Sequence, residues 1–286
     1  MSQGSAETHE AALARALASR VDNTDWLKTF AIICVSAGHI GFFFMDNDVW
    51  WSVLGRFAAP VFFFLVGYAQ SRTVPLHWIW IGIILTVLES WNADWTWVAP
   101  NILLSLALVR LGRPHVQMLV QNHGWTGFVL LTAAILASQP AAAKIVDYGA
   151  EGWLWALLGL CQRRYLDSLS AVASVGGAQG SPAPTLSSAG IAGLMRFLAC
   201  LAAAMVYVWQ EQKEFSFPAI PFTVFILGLC LLSASLCLFT RGESRIRPPE
   251  KIAGVLRFIG RYTLEIYAIQ LAGSELIVKL LPDLAP

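Results

Sequence analysis

Long apolar runs separated by short polar segments are the main pattern of the chain. Apolar runs of roughly 17 to 25 residues have the length of helices that cross a bilayer. The runs that reach or approach this length are 27–44, 52–70, 76–90, 97–110, 125–140, 150–162, 191–209, 219–240 and 255–277. The pattern predicts an all-α, polytopic helical membrane protein with about nine transmembrane helices, within a range of eight to ten.

Composition supports this class and excludes others. Of 286 residues, 57% are hydrophobic and 13% are charged, and the mean hydropathy is +0.61. These values are typical of multi-spanning membrane proteins, so the lipid bilayer is the expected partner. A net charge of +1 provides no broad positive field, and we expect no nucleic-acid partner. The five cysteines lie in apolar runs without disulfide, zinc or redox spacing, and no metal is predicted.

The basic residues predict an orientation. If the N-terminus is cytoplasmic, 15 of the 19 Lys and Arg residues fall on the cytoplasmic side, and one, Arg56, lies inside a span. Only Lys144, Lys213 and Lys279 then fall outside. The positive-inside rule therefore predicts a cytoplasmic N-terminus and a multi-pass protein of a bacterial-type inner (cytoplasmic) membrane.

The domain prediction has two parts. Residues 1–24 read as a cytoplasmic N-terminal lead-in, and residues 25–281 as a single transmembrane helical domain. The segment 168–188 is rich in Gly, Ser, Ala and Pro, which predicts a flexible cytoplasmic linker within that domain.

Candidate chemistry starts in the first two spans, because each carries an ionisable residue inside its apolar run. His39 lies about 7 Å below the outer interface and Arg56 about 6 Å, from the 1.5 Å rise of a helix. Ionisable residues inside a bilayer are costly and by default mark a site. Pro60 removes the hydrogen bond that the Arg56 carbonyl would accept, which predicts a kink there.

Further polar residues fall in the same layer. Glu89 ends the third span and Asn101 begins the fourth, which predicts a polar pocket in the outer leaflet. Lys28 shares a face of the first helix with His39, about 16 Å away. In the last span, Glu265 has Lys28, Arg261 or Arg56 as candidate partners.

Purely structural roles remain open for these residues. Lys28 snorkelling to the inner interface would explain its position. A neutral His39 hydrogen-bonded between helices would explain the imidazole. A structural ion pair of Arg56 with Glu89 or with an aspartate of an outer turn would explain the guanidinium.

Two stretches resemble a known family. The first span, with Lys28, Ala31 and the sequence GHIG, and the second, GRFAAPVFFFLVGY, resemble the TraX family of integral-membrane acyltransferases. The Lys28-to-His39 spacing and the sequence IGRYTLEIYAIQL are similar to the wider acyltransferase-three superfamily. The chain departs from the pattern at Gly38, where TraX members usually carry an aspartate, and at Gln270, where the superfamily carries a histidine.

The resemblance implies an activity: transfer of an acetyl group from acetyl-CoA to a hydroxyl or amine. The acceptor would be a protein or glycan, and the family is associated with acetylation of the N-terminus of F pilin, a pilin-like acceptor. His39 would act as general base, Arg56 or Asn101 would stabilise the oxyanion, and Glu89 is one candidate to orient His39. Candidates for the coenzyme A phosphates are Lys28, Arg72, Arg110 and Arg113.

A different class of function also fits the residues. A proton- or solute-coupled membrane transporter would have a polar path through its helices, with ionisable side chains along it. The side chains that would form this path are Lys28, His39, Arg56, Glu89 and Glu265.

Overall fold

The computed structural model describes residues 20–46, 48–71, 73–175, 186–246 and 248–281. Within these ranges the chain is helical and forms no β-strand, which confirms the all-α prediction. The helices are α1 (Asn23–Phe44), α2 (Val49–Gly55), α3 (Ala58–Tyr68), α4 (Leu76–Asn92), α5 (Ile102–Ala142), α6 (Gly149–Val175), α7 (Leu186–Phe215), α8 (Ala219–Leu238), α9 (Glu250–Arg261) and α10 (Thr263–Leu280).

Several helical stretches have the length and apolar composition needed to cross a membrane. In the described part of the chain these are Asn23–Phe44, Val49–Tyr68, Ile102–Ala142, Ser188–Phe215 and Ala219–Leu238. Large apolar side chains are exposed on them, as with Leu231 of α8 at 71%. Such surfaces fit lipid better than water. The chain is therefore a multi-pass membrane protein by composition, and the count of about nine spans stays a prediction.

The second predicted span is broken where Pro60 predicts a break. Helix α2 ends at Gly55 and α3 begins at Ala58, with Arg56 between them. Proline has no N–H to donate to the carbonyl four residues earlier. The freed Arg56 carbonyl instead accepts a hydrogen bond from the Tyr207 hydroxyl at 2.5 Å. The predicted kink is confirmed.

Helix α3 lies at the centre of the molecule and packs mainly on α6. Val61 and Phe64 of α3 are 0% exposed. The backbones come very close, since a Cβ on Gly67 would collide with the Ala156 carbonyl oxygen of α6. The packing of α3 on α6 therefore fixes the position of the α2–α3 break at Arg56.

The predicted spans 97–110 and 125–140 correspond to two helical arms separated by a break at Gly124. Helix α5 runs from Ile102 to Ala142 and bends at Gly124, whose φ of 54° and ψ of −126° are not helical. Only glycine adopts such angles at little cost. A Cβ on Gly127 would meet the Leu119 carbonyl oxygen, so the two arms of α5 fold back on each other there.

The predicted span 255–277 is wrong at its start, because the chain turns at Tyr262 between α9 and α10. Helix α9 carries Lys251, Arg257 and Arg261 on a separate, amphipathic helix. Its buried residues Ala253 and Leu256 form a small cluster with Val21 and Trp26 at the start of the chain's described part.

The predicted lead-in and linker fall partly outside the described residues. Of the lead-in, residues 1–19 lie outside, and of the linker, 176–185. The described ends of the linker are helical, because α6 continues to Val175 and α7 begins at Leu186. The prediction of a flexible segment over the whole of 168–188 is therefore wrong at its ends.

Candidate functional site

A cavity of about 660 Å³ brings together every residue predicted to be catalytic: His39, Arg56, Glu89 and Asn101. We call it the His39 cavity. It lies between α1, the α2–α3 break, the end of α4, the start of α5 and α10. Its other polar lining residues, none of them among the predicted catalytic residues, are Asn92, Asp147, Tyr148, Tyr267 and Glu275.

His39 stands on α1 beside two aromatic rings. Its ring centroid is 5.7 Å from that of Tyr267 and 6.2 Å from that of Phe43. The Nδ1 atom is buried and has no hydrogen-bond partner among the described residues. The structure therefore shows no hydrogen bond at Nδ1 that would hold the imidazole between helices. His39 as a whole lines the His39 cavity, while this nitrogen is buried.

Helix α1 reaches this cavity through a close contact between two glycines. A Cβ on Gly38 would lie 2.9 Å from the Cα of Gly55 on α2, a distance that real Cβ atoms do not tolerate. A side chain at position 38 therefore has no room while α1 and α2 stay in contact. Position 38 is therefore restricted to glycine by the packing of α1 against α2.

Two residues of α7 contact the guanidinium of Arg56. Its Nη1 atom lies 3.6 Å from Glu211 Oε2, and its guanidinium carbon lies 4.4 Å from the centroid of the Phe215 ring. The ion-pair partner is therefore Glu211, and not Glu89 or an aspartate of an outer turn. The Nε atom of Arg56 is buried without a hydrogen-bond partner among the described residues.

Asn101 connects Glu89 to Tyr267. Its side-chain nitrogen donates to Glu89 Oε1 at 2.7 Å and to the Tyr267 hydroxyl at 3.2 Å. Its side-chain oxygen accepts from the backbone N–H of Leu103 at 3.2 Å and caps α5. Asn101 is 4% exposed, so this network is fixed inside the protein. The structure thus places Glu89 on Asn101, beside the tyrosine that contacts His39.

Asp147 and Glu275 are carboxyl groups of the cavity that the sequence reasoning did not select. Asp147 lies in the turn between α5 and α6, and burial raises its pKa to about 7, with the nearby Glu89 adding to the rise. Glu275 lies on α10 and accepts a hydrogen bond from the Asn92 side chain. Their acidity was visible in the sequence, but the fold alone brings them to His39.

A second cavity of about 340 Å³ contains two of the predicted phosphate-binding residues, Lys28 and Arg110. We call it the Lys28 cavity. Lys28 Nζ donates to the Gly260 carbonyl at 2.8 Å, and the Arg110 guanidinium lies 5.0 Å from the Trp78 ring centroid. Additional charged residues that line this cavity are Arg241, Arg261 and Glu265.

The two cavities share a wall. Phe62, Ile102 and Tyr267 line both of them. Tyr267 presents its hydroxyl to Asn101 and its ring to His39. One layer of side chains therefore separates a cation-lined cavity from the cavity that holds His39.

The remaining predicted residues lie elsewhere. Arg113 is buried, donates from Nε to the Gly67 carbonyl at 2.9 Å, and lines neither cavity. Arg72 lies outside the described residues. Glu265 is in the Lys28 cavity and so is not grouped with His39 and Arg56.

Fold and site together define a class: an all-helical, multi-pass membrane protein with a buried polar centre in its helical bundle. A family model described as TraX protein matches residues 23–232, which is most of the chain. The chain belongs to the TraX family. The matched region contains His39, Arg56, Glu89 and Asn101 and ends before α9 and α10.

One curated relative, an uncharacterized protein (RP591) of Rickettsia prowazekii (strain Madrid E), is 25% identical over 131 residues. The match covers 46% of this chain and 52% of the relative, so the chain spans about half the length of the curated relative it matches. No solved structure matches the chain.

Proposed function

We propose that the protein is an integral-membrane acyltransferase that moves an acetyl group from acetyl-CoA to a hydroxyl or amine of a protein or glycan acceptor. The observation that carries the proposal is the shared wall between the two cavities. Cations of the Lys28 cavity and His39 lie on opposite sides of Phe62, Ile102 and Tyr267.

Lys28 and Arg110 bind the phosphates of coenzyme A in this proposal, and Arg241 and Arg261 of the same cavity join them. Guanidinium and ammonium groups are the side chains that bind phosphate oxygens best. Arg72 stays a candidate for the same role. Arg113 does not, because it is buried and lines neither cavity.

The acetyl thioester then has to reach the His39 cavity through the shared wall. His39 accepts the proton of the acceptor's hydroxyl or amine while the oxygen or nitrogen attacks the thioester carbonyl. Arg56 donates a hydrogen bond to the oxyanion that forms. Asn101 does not, because both of its amide hydrogens are already donated, to Glu89 and to Tyr267. The tetrahedral intermediate collapses, the C–S bond breaks, and coenzyme A leaves as a thiolate that takes up the proton from His39.

Glu89 acts through Asn101. Its hydrogen bond fixes the Asn101 side chain, whose other contacts are Tyr267 and the start of α5. Glu89 therefore fixes Asn101 and, through it, the Tyr267 side chain beside His39.

The charge pattern supports a location for this reaction. A cytoplasmic N-terminus puts the Lys28 cavity on the cytoplasmic side of a bacterial inner membrane, where acetyl-CoA is made. The His39 cavity then lies toward the outer face, where an exported pilin-like protein or a glycan would present its acceptor group.

The experiment is release of free coenzyme A from acetyl-CoA by the purified protein in nanodiscs, with hydroxylamine as a small acceptor. His39→Gln should lower the rate by about 10² to 10⁴, the usual contribution of a general base. His123→Gln is the matched control, because His123 lines neither cavity. Equal rates for the two variants would contradict the proposal.

A transporter is the second candidate, and the same wall favours it. Two polar cavities separated by one layer of side chains also resemble a closed path through a bundle. The path would contain Lys28 and Glu265 on one side and His39, Arg56 and Glu89 on the other. Proton or solute flux into proteoliposomes without any acetyl-CoA turnover would support this candidate instead.

A further inference from the structure

Three residues on one face of α7 contact Arg56. Tyr207, Glu211 and Phe215 are spaced four residues apart, so their side chains lie above one another along the helix. The Tyr207 hydroxyl donates to the Arg56 carbonyl at 2.5 Å, Glu211 Oε2 lies 3.6 Å from Nη1, and the Phe215 ring lies 4.4 Å from the guanidinium carbon. We call these three residues the α7 cradle.

The cradle holds both the backbone and the side chain of Arg56. Pro60 leaves the Arg56 carbonyl without a helical donor, and Tyr207 supplies one. The guanidinium is then fixed between a carboxylate and an aromatic face, which attract a cation in different directions. A residue in a helix break would otherwise be one of the more mobile parts of the site.

The cradle is buried deeply enough to be rigid. Tyr207 is 0% exposed and Glu211 is 2% exposed. Tyr207 also packs against Trp155, with ring centroids 6.0 Å apart and an edge-to-face angle of 86°. A buried carboxylate needs a cation near it to offset the loss of hydration, so Glu211 and Arg56 depend on each other.

The geometry leaves hydrogen-bond donors of Arg56 available. The distance of 3.6 Å to Glu211 is an electrostatic contact and too long for a good hydrogen bond. Nε has no hydrogen-bond partner among the described residues, while Arg56 lines the His39 cavity. Glu211 therefore fixes the cation without a good hydrogen bond to Nη1, and the guanidinium stays at the wall of the His39 cavity.

We propose that Tyr207, Glu211 and Phe215 are positioning residues that hold the Arg56 guanidinium at the wall of the His39 cavity, ready to stabilise a developing oxyanion. This inference rests on the proposed acyl transfer, and it assigns a role in that reaction to a helix that carries none of the predicted catalytic residues. Glu211 acts through Arg56 and does not touch the substrate.

The test compares Glu211→Gln with Glu214→Gln in the coenzyme A release assay. Glu214 is an exposed glutamate three residues further on whose charge acts on Arg56 less strongly than that of Glu211, which makes it the matched control for charge without contact. Removing an oxyanion donor usually costs about 10² to 10³ in kcat, so Arg56→Gln should lose that much and Glu211→Gln about tenfold. KM for acetyl-CoA should stay unchanged, because the phosphates bind in the Lys28 cavity.

The double variant Arg56→Gln/Glu211→Gln separates positioning from a general structural role. Glu211 has nothing to position once Arg56 is gone, so the double variant should be no slower than Arg56→Gln alone. If Glu211→Gln does not fold, Phe215→Leu takes its place, because it removes the aromatic ring over the guanidinium, and kcat should again fall at constant KM. Additive losses in kcat, or a Glu211→Gln rate equal to that of Glu214→Gln, would overturn the inference.

Failure of the proposed function gives a different result. A wild-type protein that releases no coenzyme A contradicts acyl transfer and, with it, the catalytic part of the inference. The contact between Arg56 and Glu211 is then tested by the melting temperatures of four proteins: wild type, Arg56→Gln, Glu211→Gln and the double variant. Non-additive shifts support the cradle as a structural unit, and additive shifts overturn it.

Discussion

The contact between Gly38 and Gly55 determines what can stand next to His39. Substitution of Gly38 by Ala or by Asp forces α1 away from α2, because the new Cβ meets the Gly55 Cα at 2.9 Å. Overpacking of this kind costs about 1 to 3 kcal/mol. We expect Gly38→Ala to lower the melting temperature in detergent and Gly38→Asp to lower it further.

Gly273→Ala on α10 is the control for this change. Nothing lies within 4 Å of a Cβ at that position, and alanine favours a helix over glycine. This variant should melt at or above the wild-type temperature. A Gly38→Ala protein that melts as high as Gly273→Ala would show that the close helix contact is absent.

Asp147 is a second single residue with a testable effect, because it should make the stability of the protein depend on pH. Its pKa rises from 3.8 to about 7, mainly by burial, so the folded protein binds this proton more tightly than the unfolded chain does. Stability from this group is therefore fully present below pH 4 and is lost as the pH rises toward 7. Asp147→Asn should remove that part of the loss.

Melting temperatures at about pH 5 and about pH 8, on either side of the folded-state pKa, measure this effect. Wild type should fall more than Asp147→Asn between the two, while Asp46→Asn, in an exposed turn, should follow wild type. A wild-type fall no larger than that of Asp147→Asn would contradict the burial of an acidic group at this place.

Single residues were also where the sequence was most informative. His39 and Arg56 stand out because ionisable groups are rare inside apolar runs, and that signal depends on no partner. Glu211 has the same chemistry, but it lies near the end of its apolar run, where an acidic residue is expected to face water. Its contact with Arg56 exists only because α7 packs beside the α2–α3 break.

The break between α2 and α3 is the element on which the site depends. The Arg56 carbonyl has one donor, the Tyr207 hydroxyl, among the contacts that the structure describes. A buried acceptor left without a donor costs about 1 to 3 kcal/mol. Tyr207→Phe should therefore destabilise the protein strongly in the wild-type background.

The Pro60→Ala background tests whether Pro60 is the reason that the Arg56 carbonyl depends on Tyr207. An alanine in place of the proline has an N–H that can donate to the Arg56 carbonyl, so the helix can close without Tyr207. Tyr207→Phe should then lower the melting temperature less than it does with Pro60 present. An equal loss in both backgrounds would contradict the role assigned to the proline.

Some element boundaries were predicted and one was missed. Pro60 correctly marked the α2–α3 break. The predicted start of a span at residue 125 matches the break at Gly124, although hydropathy does not report the backbone conformation of that glycine. The start of α10 was missed because α9 is amphipathic, and its apolar side chains extend the hydrophobic run across Tyr262.

The whole molecule has an orientation that the charges predict and that fusions can measure. A phosphatase reporter joined at residue 95 or 145 should be active, because both sites are predicted to lie outside. The same reporter joined at residue 180 or 245 should be inactive. The opposite pattern would place the Lys28 cavity on the wrong side of the membrane for acetyl-CoA.

At this scale the central claim is that a donor bound on the Lys28 side reacts at His39, beyond the wall of Phe62, Ile102 and Tyr267. The most direct test uses sealed membrane vesicles of both orientations from cells that express the chain, with acetyl-CoA added only outside. Inside-out vesicles should release free coenzyme A, and His39→Gln should lower this rate by about 10² or more. Right-side-out vesicles should release it only after they are permeabilised. Equal release from both sealed orientations, or release that His39→Gln leaves unchanged, would contradict the account.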